Sequence, residues 1–507
     1  MSSAEGKIFV RESTGLVKNV SFIDSVMLNL SNMSSGTAIA SIGFTMVALS
    51  TVAGVNLVGT VLIGFLLSIP EIFVYTIMSR RMPRTGGDYV WMSRTIGPIS
   101  APLTFAEYIW GQFSFIALIA LSTVFAIGSV LLTMGNHNAL GIAVPGMDPT
   151  SQFIIAAVVF SALIAVNIFR PKAGYKIVSV LGILGIVALL VGVVMLFAAG
   201  RAGVENWINN LGANLTYSQV AASYTGPTFS FGPTVFILPL FAAFTFPWLN
   251  AGPAVASEIK GRRALQWNVP VAAILTFGIL LLSFGTMYIV GGFNFINGAF
   301  HNPTLVFDYS FNFWTLAMGV STSPIIAWFI GLGWIIWNIS VLAYAIIVVA
   351  RYIFAEAFDR VLPERLAHLN RWGSPVYAHL LDFIITLAVI GGVAYFYGTF
   401  TSLYGTWVLG MSYFALVGLV AVIYGTKKER GTTKVVLQIS GFLMILVFLY
   451  LAYAFAASPA IWGGNLLAYG YILSGLILGF IIYAWSRSYH RKKGIDIAMV
   501  FKEIPPD

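Results

Sequence analysis

The chain contains no cysteine. That excludes structural disulfides, thiolate metal sites, a cysteine nucleophile and any disulfide-linked partner subunit. Charge is nearly as scarce: Asp, Glu, Lys and Arg together make 9% of 507 residues, against about 25% in an ordinary soluble domain. The first residues hold no apolar core ahead of a small-residue cleavage site, so no cleaved leader is expected there. Histidine is confined to five scattered positions. Neither metal-ligand spacing, a nucleophile elbow nor a glycine-rich phosphate loop occurs. We therefore expect no enzyme activity, no metal and no cofactor.

What remains is apolar: 58% hydrophobic residues, with 39 Phe, 22 Tyr and 13 Trp. A spanning helix needs roughly 20 apolar residues at 1.5 Å rise each, so repeated runs of that length identify a polytopic helical membrane protein. Twelve spans are predicted, at 22–49, 53–79, 99–133, 150–169, 175–199, 234–258, 268–292, 324–357, 376–397, 400–425, 434–457 and 466–486. The net charge of +9 is not spread over them. Every Lys and Arg except Arg201 falls on one side of this topology. That is the positive-inside distribution, which places both termini in the cytoplasm and makes the basic surplus topological. The expected surroundings are the lipid of the cytoplasmic membrane, with no nucleic-acid partner.

Two spans are interrupted. The sixth lies in VFILPLFAAFTFPWLNAGPAVASEIK at 235–260 and carries Pro247 and Pro253. Each removes a backbone donor and clashes with the preceding turn. Backbone freed at membrane depth needs partners in protein or in a water-lined cavity. The first span contains SNMSSGTAIASIG, where Ser34, Ser35, Gly36, Ser41 and Gly43 weaken a helix and let backbone approach a ligand. Alone, a proline kink and small-residue helix packing would explain the two stretches. But they head two five-helix halves, and interruptions at matching positions point to a transporter's binding site. The expected organisation is a tail at 1–21, a first repeat at 22–199, an outer loop at 200–233 and a second repeat at 234–425. Two further spans at 426–486 and a tail at 487–507 complete it.

The gap SRRMPRTGGDYVWMSRTIGP at 79–98 is turn-rich at Pro83 and Gly86-Gly87, with Tyr89 and Trp91 suited to an interfacial, partly buried helix. It resembles the Phe-Pro-Arg-x-Gly-Gly-x-Tyr-x-Tyr signature, followed by Phe-Gly-Pro, of the amino acid–polyamine–organocation (APC) permeases. Met82, Pro83, Arg84, Gly86, Gly87, Tyr89, Trp91, Gly97 and Pro98 fall in step, while Ile77 replaces the usual acidic residue. SEIKGRR at 257–263 is similar to the family segment after the sixth span and keeps Glu258 and Lys260. The segment 350–378 resembles the one leaving the eighth span, through Arg351, Phe354, Ala355, Leu362, Pro363, Asn370 and Pro375.

This resemblance, over roughly 22–425, implies an all-α polytopic membrane protein with a five-plus-five inverted repeat (the LeuT-like arrangement) and two extra C-terminal helices. It implies secondary active amino acid transport by alternating access, proton-coupled or by exchange. Spans 1, 2, 6 and 7 would rock against spans 3, 4, 8 and 9. The substrate carboxylate would meet amides at Ser35, Gly36 and Thr37, beside Ser34, at the positive end of a half-helix. The ammonium would meet carbonyls of Asn32, Phe244, Thr245 and Pro247, with Phe246 between them.

The sequence also departs from the family. A Gly becomes Trp248, a Glu becomes Asn250, and Gly-Ser-Gly becomes Ser34-Ser35-Gly36. A tryptophan should narrow the pocket toward small or medium neutral substrates, unless it faces a neighbouring helix. Phe244, Trp248, Tyr108, Trp334, Trp337 and Trp407 are gate candidates. The lysine that proton-coupled relatives place in span five falls on Gly185. H+ coupling would then look to Glu107 and Glu71, intramembrane acids and functional candidates by default, unless these pair with basic loops. Na+ coupling would take Asn338 and Ser340, residue types that also serve as interhelical hydrogen-bonders. A polyamine or organic-cation permease is one alternative, disfavoured because the break itself carries no acid. A transport-inactive nutrient-sensing receptor is another, disfavoured by the short tails.

Overall fold

A computed structural model describes residues 14–49, 52–396 and 405–504. Lys7, Arg11 and the first residues of the expected tenth span, 400–404, lie outside them. The described residues are helical apart from turns, loops and three isolated bridges. Ten continuous helices are long and apolar enough to cross a bilayer: Leu57–Arg81, Ser100–Thr133, Pro149–Phe169, Pro171–Asn209, Arg262–Gly291, Pro324–Phe358, Val376–Tyr395, Trp407–Lys428, Gly431–Ala457 and Leu466–Lys492. They correspond to spans 2–5 and 7–12. Gly200, at φ 59°, turns the chain where the fifth span was expected to end.

The two spans absent from that set are the interrupted ones. Span one consists of Phe22–Asn32 and Ser35–Ala48. Span six consists of Phe231–Phe236, Leu238–Phe244, an unwound stretch at 245–250 and the short helix Ala251–Ala254. No piece reaches the roughly 20 residues that a span needs. Joined, they complete twelve.

Each break has a local cause. Ser34 adopts a left-handed conformation at φ 36°, ψ 33°, a geometry costing about 1–3 kcal/mol for a non-glycine residue. Its hydroxyl offsets part of that by donating to the carbonyls of Ser31 (3.2 Å) and Asn32 (3.1 Å). In span six, Thr245 leaves helical geometry at φ −129°, ψ −84°, and Pro247 two residues later cannot donate to resume it. Pro253 departs from expectation. It makes no second break, because it lies in the first turn of Ala251–Ala254, where a backbone N–H has no intrahelical acceptor.

On the face carrying the basic loops, hydrogen bonds and ion pairs tie spans one, five, six and eight together. Val20 N–H donates to Glu258 O (2.9 Å) and Lys260 N–H to Val20 O (2.8 Å), pinning the start of span one to the end of span six. Asp24 accepts from Lys176 (2.9 Å) and Ser179 (2.6 Å) of span five. Glu258 takes a two-pronged bond from Arg351 of span eight (2.6 and 3.0 Å) and one from Tyr175 (2.9 Å). Arg94 grips Asp359 (2.5 and 2.8 Å), which also accepts from Tyr89 (2.8 Å). Tyr89 and Trp91 are fully buried here, more so than the partly buried helix that the sequence led us to expect. The helix Asp88–Ile96 that carries them is wedged under the spans.

Removing Arg351 strands the Glu258 carboxylate, whose side chain is 5% exposed, and breaking such a buried pair costs about 3–5 kcal/mol. Arg351→Ala is therefore expected to lower the unfolding temperature in detergent markedly. The double variant Arg351→Met, Glu258→Leu should recover most of the loss.

Candidate functional site

The two breaks lie against each other, and asparagines stitch them together. Asn32 Nδ2 donates to Asn250 Oδ1 (2.8 Å), and Gly252 N–H donates to Asn29 Oδ1 (2.7 Å). Asn29 Nδ2 reaches Asn268 of span seven (2.8 Å), and Asn250 Nδ2 reaches the Tyr352 hydroxyl of span eight (3.1 Å). Spans one and six run in opposite directions. The amino end of Ser35–Ala48 and the carboxyl end of Leu238–Phe244 thus meet at one depth, presenting N–H groups and carbonyls respectively.

On the span-one side, Thr37 and Ala38 N–H groups close on Ser34 O, both at 2.9 Å. The amides of Ser35 and Gly36 head the helix, where it supplies no acceptor of its own. The Ser35 hydroxyl is buried and has no hydrogen-bond partner among the described residues. Gly36 O accepts from Trp314 (3.0 Å), and a Cβ at Gly36 would run into the Trp337 ring. A Cβ at Gly185 would meet the same ring at 2.7 Å. Trp337 thus fills the gap between spans one and five toward which a lysine at Gly185 would project. That pairing of two glycines with one indole was invisible in the sequence.

Asn338 and Ser340 do reach span one. Thr37 donates to Asn338 Oδ1 (2.9 Å), Ser340 and Ser31 share a bond (2.8 Å), and Ser340 also donates to Val178 O (3.1 Å). Both are engaged in direct interhelical bonds. Among the described residues no cluster of three or more His, Asp or Glu could hold a metal ion.

On the span-six side, Trp248 folds back on the helix it follows. Its indole N–H lies 2.9 Å from Ala242 O and 3.1 Å from Ala243 O, capping carbonyls that the break opens. The ring packs edge-on to Phe414 and, with Asn32, Glu107, Ala243, Tyr344 and Trp407, lines a narrow cavity. Phe244 packs on Trp407, and Tyr108 stacks on Tyr352 at 4.2 Å between centroids. Phe246 points elsewhere, onto Gly64 and Phe65, and lines a second cavity with Pro247 and Glu71. Trp334 is buried in span eight, outside the linings of both cavities.

Glu107 sits on a π-helical turn, Phe105–Gly111, a distortion that re-aims side chains and recurs at functional sites. Its carboxyl faces the first cavity and forms no hydrogen bond or ion pair among the described residues. Glu71 is buried, with neither oxygen partnered among the described residues. Pairing with basic loops, one of the two expectations for these acids, is not what the structure shows.

Sequence reasoning missed Asp88. It is fully buried and accepts three phenolic hydroxyls, from Tyr75 (2.7 Å), Tyr108 (3.1 Å) and Tyr352 (2.7 Å). An acid placed directly after Gly-Gly in so charge-poor a chain was the available signal.

A family model described as amino acid permease matches residues 21–483. Over 360 residues the chain is 22% identical to uncharacterized protein 399 of Sulfolobus islandicus rod-shaped virus 1, covering 71% of this chain and 69% of that protein.

The contact of Gly36 with Trp337 can be tested directly. Gly36→Ala should destabilise by about 1–3 kcal/mol through overpacking. Adding Trp337→Phe should recover part of that, a non-additivity read from thermal unfolding of the two single variants and the double.

Proposed function

The chain belongs to the amino acid permease family, a family of membrane transporters, and from that premise we infer that it carries amino acids by alternating access. The cytoplasmic membrane, with both termini in the cytoplasm, is the setting that the one-sided basic residues favour. Residues 22–199 and 234–425 act as the two inverted repeats; the outer loop 200–233, spans 426–486 and the tails 1–21 and 487–507 lie outside them. The observation that carries the reading is the buried, unpartnered Ser35 hydroxyl at the junction of two opposed helix breaks.

In this reading the substrate carboxylate takes the Ser35 hydroxyl and the Ser35 and Gly36 amides, beside Thr37, whose own amide is engaged by Ser34 O, helped by the positive helix end. The ammonium takes carbonyls of Asn32, Phe244, Thr245 and Pro247, beside the pair that Trp248 already caps. Trp248 limits the room for the side chain and so favours small or medium neutral amino acids. On the basic face the Glu258–Arg351–Tyr175 cluster ties span six to spans five and eight, and in this reading release toward that face requires it to part. Coupling is by proton or by exchange; Glu71 and Glu107 are coupling candidates, and Asn338 and Ser340 would serve Na+ through lone pairs beside their present bonds.

One observation favours a second reading. Glu107 is an unpaired carboxylate among Trp110, Phe115, Trp248, Tyr344, Trp407 and Tyr471, and acid plus aromatic faces is a setting for an organic cation. There the cargo carries a second positive group, as a cationic amino acid or polyamine.

Thermal stabilisation of the detergent-purified protein across amino acids and polyamines, followed by uptake into vesicles, separates the readings. Neutral amino acids should raise the unfolding temperature as ligands of the folded state. Ser35→Ala should weaken their binding about 10- to 100-fold, as for loss of a hydrogen bond to a charged group. Trp248→Ala should shift preference toward larger side chains. Stabilisation by polyamines or cationic amino acids alone, lost in Glu107→Gln, would establish the second reading. Binding without flux would instead identify a receptor.

A further inference from the structure

The buried Asp88 cluster joins groups that the transport reading leaves unused. Asp88 opens the helix Asp88–Ile96 between spans two and three. Its Oδ2 accepts from Tyr75 of span two and Tyr108 of span three, and its Oδ1 from Tyr352 of span eight. The Tyr352 hydroxyl in turn accepts from Asn250 in the span-six break, and Asn250 accepts from Asn32 at the span-one break. Every donor in this chain points the same way, from the breaks to one carboxylate. It crosses from spans one, two and six to spans three and eight, the two groups that alternating access moves apart.

A second contact ties Asp88 to span six. Gly86 N–H donates to Ala254 O (2.9 Å). Gly87, at φ 44°, lies so close to the Pro253 carbonyl carbon that a Cβ would come within 2.9 Å of it. Only glycine lets the backbone just before Asp88 lie on the inner half of span six.

We propose that Asp88 is the proton-binding residue of this transporter, a positioning residue that reports its protonation to both helix breaks through Tyr352 and Asn250. This rests on the transport reading and adds the proton as coupling ion. As carboxylate, Asp88 accepts all three phenols. Once a hydronium ion passes a proton to Oδ1 and leaves as water, that oxygen must donate. Tyr352 already accepts from Asn250, so it must turn its own hydrogen away, and the Asn32–Asn250–Tyr352 chain reorganises. The hydronium O–H that breaks and the carboxyl O–H that forms are the covalent bonds exchanged.

The groups facing Asp88 are acids and phenols: Glu71 and Tyr75 of span two, Glu107 and Tyr108 of span three, Tyr352 of span eight and Tyr413 of span ten. No cation is among them. Burial pushes the Asp88 carboxyl up to about 6, although the three phenols and the Tyr89 amide pull it down. The site is therefore mostly ionised above about pH 6 and mostly protonated below it.

The test uses the full-length protein in detergent without substrate, so its failure is distinct from failure of the transport reading. Hydrogen–deuterium exchange at 30–36 and 245–252, corrected for the intrinsic pH dependence of exchange, is followed from about pH 7.5 to about pH 5. The wild type should change protection at both breaks about tenfold, with a midpoint near that of Asp88. Asp88→Asn should abolish the pH dependence and hold the low-pH profile. Tyr352→Phe should also abolish it while leaving Asp88 in place, and carries the test alone if the first variant does not fold. A wild-type pH profile in either variant, or pH-independent breaks in the wild type, overturns the proposal.

Discussion

A helix opened inside a bilayer leaves amides and carbonyls that lipid cannot satisfy, and this fold is arranged around meeting that need twice. Span one opens at Ser34 and span six at Thr245, and each opening is served by side chains of the other span and its neighbours. Ser34 turns back on its own carbonyls, Trp248 caps those of Ala242 and Ala243, and Asn29, Asn32 and Asn250 bridge the gap. What is left over is small and specific: two amides at a helix head and one buried hydroxyl on Ser35. A substrate carrying a carboxylate and an ammonium supplies the complementary groups without a buried counter-charge.

The scarcity of charge gives its placement meaning. On the basic face Glu258 pairs with Arg351 and Asp359 with Arg94, while Glu356 between them is buried with neither oxygen partnered among the described residues. Near the breaks no buried acid is paired with a base among the described residues: Glu71 and Glu107 have no partner and Asp88 accepts from phenols. A buried ion pair is weak evidence for stability but breaks at a high cost, which suits a gate. Acids without a counter-cation exchange protons more readily than they fix structure, which suits coupling.

Much of this was legible in the sequence, because its strongest signals are set by the membrane itself. Run length and the one-sided placement of Lys and Arg yielded twelve expected spans and their order, and most of the ten continuous helices begin and end within several residues of the expected bounds, although the fifth runs past 199 to Asn209. The two spans expected to be broken are the two absent from the continuous set. Less legible was anything that depends on rotamers or on side chains distant in sequence. Pro253 read as a break but begins a helix, since a proline's effect depends on its position in the turn. Trp248 read as a pocket wall and also turned out to cap a helix end. The roles of Gly36 and Gly185 needed Trp337 between them, and Asp88 needed three tyrosines from three different spans. No local pattern encodes such meetings.

The absence of cysteine offers the most direct test of the central claim, that the Ser35 junction is where cargo binds. A Ser35→Cys substitution gives one thiol in an otherwise cysteine-free chain, and its reaction with a small thiosulfonate in vesicles can be timed with and without an amino acid mixture. The account predicts that the thiol reacts and that amino acids slow the reaction severalfold, whereas sugars leave it unchanged. A reaction rate indifferent to amino acids and polyamines alike would contradict it.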